Sequence, residues 1–125
     1  MDINPVVPAD RQWIEGYGPG GFRISGMRHD GSVLVFPVRT LRWEVSAFSE
    51  LSLESLGPVF SAQPKVELLL IGCGDRLLRL PEALAAALQA ARVVAEPMDT
   101  GAACRTYNVL MGEDRRVAAA LIALS

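Results

Sequence analysis

Six residues, Val66-Glu67-Leu68-Leu69-Leu70-Ile71, stand between Pro64 and the triplet Gly72-Cys73-Gly74, and they constrain the fold more than any other stretch of the chain. A near-continuous apolar run of this length, closed at both ends by turn formers, is the pattern of a strand covered on both faces. It predicts a central strand. Pro81 opens the next segment, Glu82 falls in a first helical turn, and Leu84, Leu88 and Ala91 share one stripe, which predicts an amphipathic helix to about Arg92. A basic residue there complements the helix dipole. Val93-Val94-Ala95-Glu96 then predicts a second inner strand closed by Pro97. A strand, a crossover helix and another apolar strand form a parallel unit, so the chain is α/β.

The rest must build around that unit within 125 residues, a length at the commonest size of a single domain. Half of the residues are hydrophobic, which excludes disorder. Residues 1–21 hold three prolines and the run Gly16-Tyr17-Gly18-Pro19-Gly20-Gly21, and predict a loop-rich amino-terminal arm whose Trp13 and Tyr17 could face a partner. Phe22 to Met27 alternates, Asp30-Gly31 supplies a turn signal, and Val33 to Phe36 resumes a strand, so a β-hairpin is expected there. Arg39 to Val45 predicts a further short strand with Leu41, Trp43 and Val45 on one face, and Trp43 in the core. Between Ser46 and Ala62 the apolar spacing is helical but broken at Gly57-Pro58, giving two short turns. Thr100 to Leu110 predicts a helix capped by Asp99 or Thr100. Val117 to Leu124 is apolar throughout and fits either a buried helix or a buried strand.

The same composition excludes several functions. A net charge of -2, with arginines scattered along the chain, provides no field for a nucleic-acid backbone. The longest apolar run, Val117 to Leu124, is too short to span a bilayer, which takes about 20 residues. The first eight residues carry an acid and two prolines and lack the basic start of an export signal, so a cytoplasmic protein is expected. Cys73, Cys104 and the single His29 are too few donors for a structural zinc, and no cofactor is expected.

Several blocks in order resemble a known family. Leu68-Leu69-Leu70-Ile71-Gly72-Cys73-Gly74, Glu96-Pro97-Met98-Asp99-Thr100, the segment Ala102 to Leu110, and Glu113 to Ile122 together resemble the uncharacterised protein family that contains the mitochondrial respiratory complex I assembly factor 3. The resemblance extends to the hairpin and Trp43. It implies a three-layer α/β domain around a mixed five-stranded sheet, in which the final apolar run is a strand antiparallel to the others. It also implies protein partners, such as membrane-complex subunits or other assembly factors, with no agreed reaction. The chain departs from the family pattern at Cys73, where a threonine is usual, and at Arg92, where a helix-ending glycine is common.

The predicted site follows from the topology. Gly72-Cys73-Gly74 and Pro97-Met98-Asp99-Thr100 each leave the carboxyl end of a predicted parallel strand, where α/β sheets bind ligands. A helix starting near Gly101 would aim free N–H groups into the same crevice, so Gly72, Cys73, Gly74, Asp99, Thr100 and Asn108 are the candidate anion- or ligand-binding residues. The plainer alternative is a pair of tight turns with Asp99 or Thr100 as helix cap and Asn108 hydrogen-bonded to loop backbone beside the glycines. A thiol at Cys73 near a helix start would have a lowered pKa, but no base accompanies it. Cys104 is expected to serve packing, and Glu113 to pair with Arg105, Arg115 or Arg116. The leading expectation is a non-enzymatic binding or assembly protein; the alternatives are a small-ligand carrier or minor enzyme at the crevice, and a homodimer pairing a sheet edge.

Overall fold

The structure, a computed structural model, describes residues 11–125. Its centre is a five-stranded mixed sheet with strand order β5-β4-β8-β6-β7, made of β4 (Val33–Phe36), β5 (Arg39–Arg42), β6 (Leu68–Gly72), β7 (Val94–Met98) and β8 (Val117–Leu121). β6 does lie between two neighbours, and the two-residue period of a strand divides its side chains: Leu69 and Ile71 point into one core, Leu70 into the other. The same alternation sends Val117, Ala119 and Leu121 of β8 to one side and Ala118 and Ala120 to the other. The final apolar run is therefore a strand, buried on both faces. It runs parallel to β6 and antiparallel only to β4, which corrects the expectation that it opposes all the others.

Layers cover both faces. On one side lie α2 (Glu82–Ala90), through Leu84 and Leu88, and the segment carrying Trp43, Leu56 and Val59. Trp43 is buried, and its indole N–H donates to the Ser55 carbonyl at 2.8 Å. On the other side lie α3 (Thr100–Gly112) and a second, three-stranded antiparallel sheet of β1 (Ile14–Gly18), β2 (Gly21–Ile24) and β3 (Met27–Asp30). Ala119, the small β8 residue on this side, lets Ala103, Cys104 and Tyr107 of α3 join this core.

Several local expectations change. The first ten residues of the expected arm lie outside the described residues, and residues 14–18 form β1, because an edge strand with one partner tolerates the glycines. Trp13 and Tyr17 thus belong to a packed layer and not to a free arm. The hairpin exists, but its turn is Ser25-Gly26, both at positive φ, joining β2 to β3. Asp30-Gly31 instead begins the passage from the small sheet to β4 in the large one. The strand expected through Val45 stops at Arg42. Gly57-Pro58 does not interrupt a helix; it starts α1 (Gly57–Ser61), where a proline needs no donor, and two single 3₁₀ turns precede it. β7 is an edge strand and not an inner one, with Pro97 inside it. α2 ends two residues before Arg92, which takes φ +60, the conformation that a glycine reaches without cost.

Candidate functional site

Gly72-Cys73-Gly74 and Asp99-Thr100 meet at one rim of the large sheet, as the topology predicted. The Cys73 amide donates to the Met98 carbonyl at 2.8 Å, and the Thr100 amide to the Gly74 carbonyl at 2.8 Å. The Thr100 hydroxyl accepts from the Gly74 amide at 2.9 Å and donates to the Ile122 carbonyl at 2.7 Å, so one oxygen ties the ends of β6 and β8 to the start of α3. Thr100 is fully buried. Gly72 leaves room for this close approach, because a Cβ there would stand 3.0 Å from the Cα of Thr100 and force it to shift.

The helix start is sealed in the same way. The Asp99 carboxylate accepts from the Ala102 amide at 2.8 Å, and the Tyr17 ring lies so close over Gly101 that a Cβ would fall 2.6 Å from its hydroxyl. That hydroxyl accepts from Arg105 at 2.6 Å. The two turns are neighbours bridged by Thr100, while Asp99 caps α3 and Tyr17 covers Gly101. An open hollow of about 480 Å³ does touch Cys73 and Gly74, bounded by Phe48, Arg76 and the carboxyl-terminal residues, yet Asp99, Thr100 and Asn108 do not line it. Asn108 lies elsewhere: its amide donates to the Ile14 carbonyl at 2.8 Å and accepts from the Ile14 amide at 3.0 Å. It binds β1 as a neighbouring strand would, and not the glycine turn. Sequence alone could not choose between these backbones, since both were unassigned loops.

Neither thiol is activated. Burial pushes Cys73 above its ordinary value, the reverse of the lowering that a helix start would give, and its sulfur lies near the carbonyls of Ile71 and Leu78. Cys104 is pushed up to about 12 by burial, in keeping with a packing role. His29 sits on β3 of the three-stranded sheet, paired with Phe22 of β2, and not in the sheet whose β6 runs into Cys73. Asp99 and Glu113 flank opposite ends of α3, about 20 Å apart at 1.5 Å per residue, so they share no proton. Glu113 makes no ion pair among the described residues; Arg116 pairs with Glu67 at 3.6 Å and Arg105 with Tyr17. No group of three or more His, Cys, Asp or Glu side chains gathers among the described residues in a way that could hold a metal.

Sequence reasoning missed the opposite rim. There the start of β8, the approach to β6 and the β4–β5 turn enclose a cleft of about 340 Å³ bordered by Arg11, Arg39, Lys65, Arg115 and Arg116. These residues are far apart in the chain, so only the Arg115-Arg116 pair gave a sign of it.

Comparison with known proteins bears on this geometry. The family described as "Protein of unknown function (DUF498/DUF598)" matches residues 14–122. The chain belongs to that family. An uncharacterized protein of Rhodobacter capsulatus is 41% identical over 87% of this chain and 82% of its own length. The NADH dehydrogenase [ubiquinone] 1 alpha subcomplex assembly factor 3 of Xenopus tropicalis is 38% identical over 91% of this chain, and the human protein of that name 32% identical over 91%. This chain spans 62% of the length of each of these two relatives. Among solved structures, a crystal structure titled as an outer membrane protein from Bartonella henselae is 41% identical with a TM-score of 0.86, covering 94% of this chain and 98% of that one. A solution structure of a Rhodopseudomonas palustris protein is 40% identical with a TM-score of 0.79, covering 98% and 90%. The expected fold, a three-layer arrangement on a mixed five-stranded sheet, is the fold observed.

Proposed function

We propose that this chain is a single-domain, non-enzymatic protein-binding module, acting in the cytoplasm, that holds subunits or fellow assembly factors while a membrane-associated complex is built. The observation that carries the proposal is the match, across 91% of this chain, to proteins named as assembly factor 3 of the NADH dehydrogenase alpha subcomplex. The rim geometry supports it: the hydroxyl, the carboxylate and the glycines on which a ligand site would draw are spent on holding β6, β8 and α3 together. Buried, protonated thiols also leave no strong nucleophile at the strand ends.

Crosslinking in the native host, followed by affinity capture of the tagged chain, tests this. Subunits or assembly factors of a respiratory or other membrane complex should be recovered in stoichiometric amounts. Recovery of none across a series of detergents and salt concentrations overturns the proposal. The alternative, ligand binding by Gly72, Cys73, Gly74, Asp99, Thr100 and Asn108, has its own readout, because a metabolite at 100 times its Kd adds about 2.7 kcal/mol to stability. Sedimentation of the free chain addresses a homodimer.

A further inference from the structure

We propose that the cleft at the rim opposite the glycine turns binds an amphipathic anion, a phosphate or carboxylate head joined to an apolar body. The inference is independent of the assembly proposal. It begins from charge. The chain carries a net charge of -2, yet five of its 12 basic side chains border this one cleft, and among the described residues that line it Asp114 is the only acid. Internal pairing does not cancel that excess. Arg11 reaches Asp114 at 3.5 Å and Arg116 reaches Glu67 at 3.6 Å, while Arg39 lies 5.0 Å from the centre of the Phe36 ring. Lys65 donates to the backbone carbonyl of Arg92 at 3.2 Å. Arg39, Lys65 and Arg115 thus have no carboxylate partner among the described residues, and an anion in the cleft would find their charges uncompensated. Guanidinium groups supply the fork of donors that matches a phosphate or carboxylate.

The floor sets the other half of the ligand. Phe36, Ala62, Val66 and Val117 are buried beneath the cations, and the apolar surface continues outward along Pro37 to Val38, which is 57% exposed. A bare inorganic ion would leave that track empty, whereas a head with an apolar body covers it. At about 340 Å³ the cleft falls in the range of small-ligand sites, roughly 300 to 1,000 Å³. The basic loop is also preorganised. The amides of Asp114 and Arg115 donate back to the carbonyls of Met111 and Leu110, each at 3.0 Å, and Asp114 takes φ +60, which fixes the path from α3 into β8. Little backbone ordering is left for a ligand to impose.

The experiment is a titration of the full chain with octyl phosphate below its micelle concentration, followed by backbone amide NMR. Inorganic phosphate and octyl glucoside serve as head-only and body-only controls. Octyl phosphate should bind at least tenfold more tightly than either control and shift resonances of residues 36–39, 63–66 and 114–117. The double variant Arg39→Glu, Arg115→Glu, whose side chains are exposed, should lose at least tenfold in affinity with an unchanged Tm, and Asp114→Asn should gain a few-fold. Co-sedimentation with phosphatidylglycerol vesicles, against phosphatidylcholine, identifies the source: retention on the anionic vesicles alone means a lipid headgroup, and no retention means a soluble ligand. Octyl phosphate binding no tighter than octyl glucoside, or unchanged binding by the folded double variant, overturns the proposal.

Discussion

Replacing Thr100 by valine keeps the shape of the side chain and deletes one oxygen. That oxygen serves two hydrogen bonds, one from the Gly74 amide and one to the Ile122 carbonyl, in a residue with no exposed surface. Each backbone group left unpaired costs about 1–3 kcal/mol, and the Gly74 amide, being only partly buried, falls at the lower end. Thr100→Val should therefore lose about 2–4 kcal/mol. With an unfolding entropy of about 2.1 cal/mol/K per residue, the 125-residue chain loses about 4 °C of Tm per kcal/mol, or roughly 8–15 °C in all. Thr100→Ser keeps the hydroxyl and loses one buried methyl, a cost of about 1 kcal/mol. Urea denaturation gives the two free energies, and amide hydrogen exchange gives the local effect, which should be largest at Gly74 in the valine variant. The reasoning fails if valine costs less than about 1 kcal/mol, or if serine costs as much as valine.

Other substitutions test the remaining contacts. Asn108→Ala removes both partners of the Ile14 backbone and should cost about 2 kcal/mol, with amide protection lost first along β1. Gly101→Ala should displace the Tyr17 ring and break its bond to Arg105, visible as shifted Tyr17 ring resonances in NMR and a loss of about 1–3 kcal/mol. Arg92→Gly removes the strain of a positive φ on a side-chain-bearing residue and should raise stability by about 0.5 kcal/mol in thermal denaturation. Cys104 holds its proton in the folded state up to about 12 but releases it near 9 when unfolded, so the unfolded chain binds fewer protons above pH 9 and stability falls as pH rises from there towards 12. Cys104→Ala should flatten that part of the pH profile without removing it, because burial raises Tyr107 as well.

Residues whose neighbours are close in sequence, or whose pattern has one period, were legible in advance. The closed apolar run of β6, the parallel partner after one crossover helix, and the Asp99 cap of α3 each follow from local chemistry. What escaped depended on distant pairing. A run of alanines carries no period, so only the sheet decides that Val117–Leu121 is a strand, and only strand order makes it parallel to β6. The Asp30-Gly31 dipeptide favours a turn wherever it stands, but whether the chain doubles back or crosses to another sheet is settled by which hydrophobic face needs covering. That the two turns share one rim was legible because strand ends follow from topology. The bridging by Thr100 joins residues 22 and 26 positions away, and the Tyr17 cover over Gly101 joins elements more than 80 residues apart, pairings of which the sequence carries no trace.

The proline within β7 has a consequence for how this chain meets others. Val94 donates inward to Glu67, so by the two-residue alternation Ala95 and Pro97 present the outward side, and Pro97 has no donor to present. A stranger's extended backbone laid along this border would find a missing rung near its carboxyl end. Runaway stacking of sheets is hindered at this border, which leaves β5 as the other open edge of the large sheet.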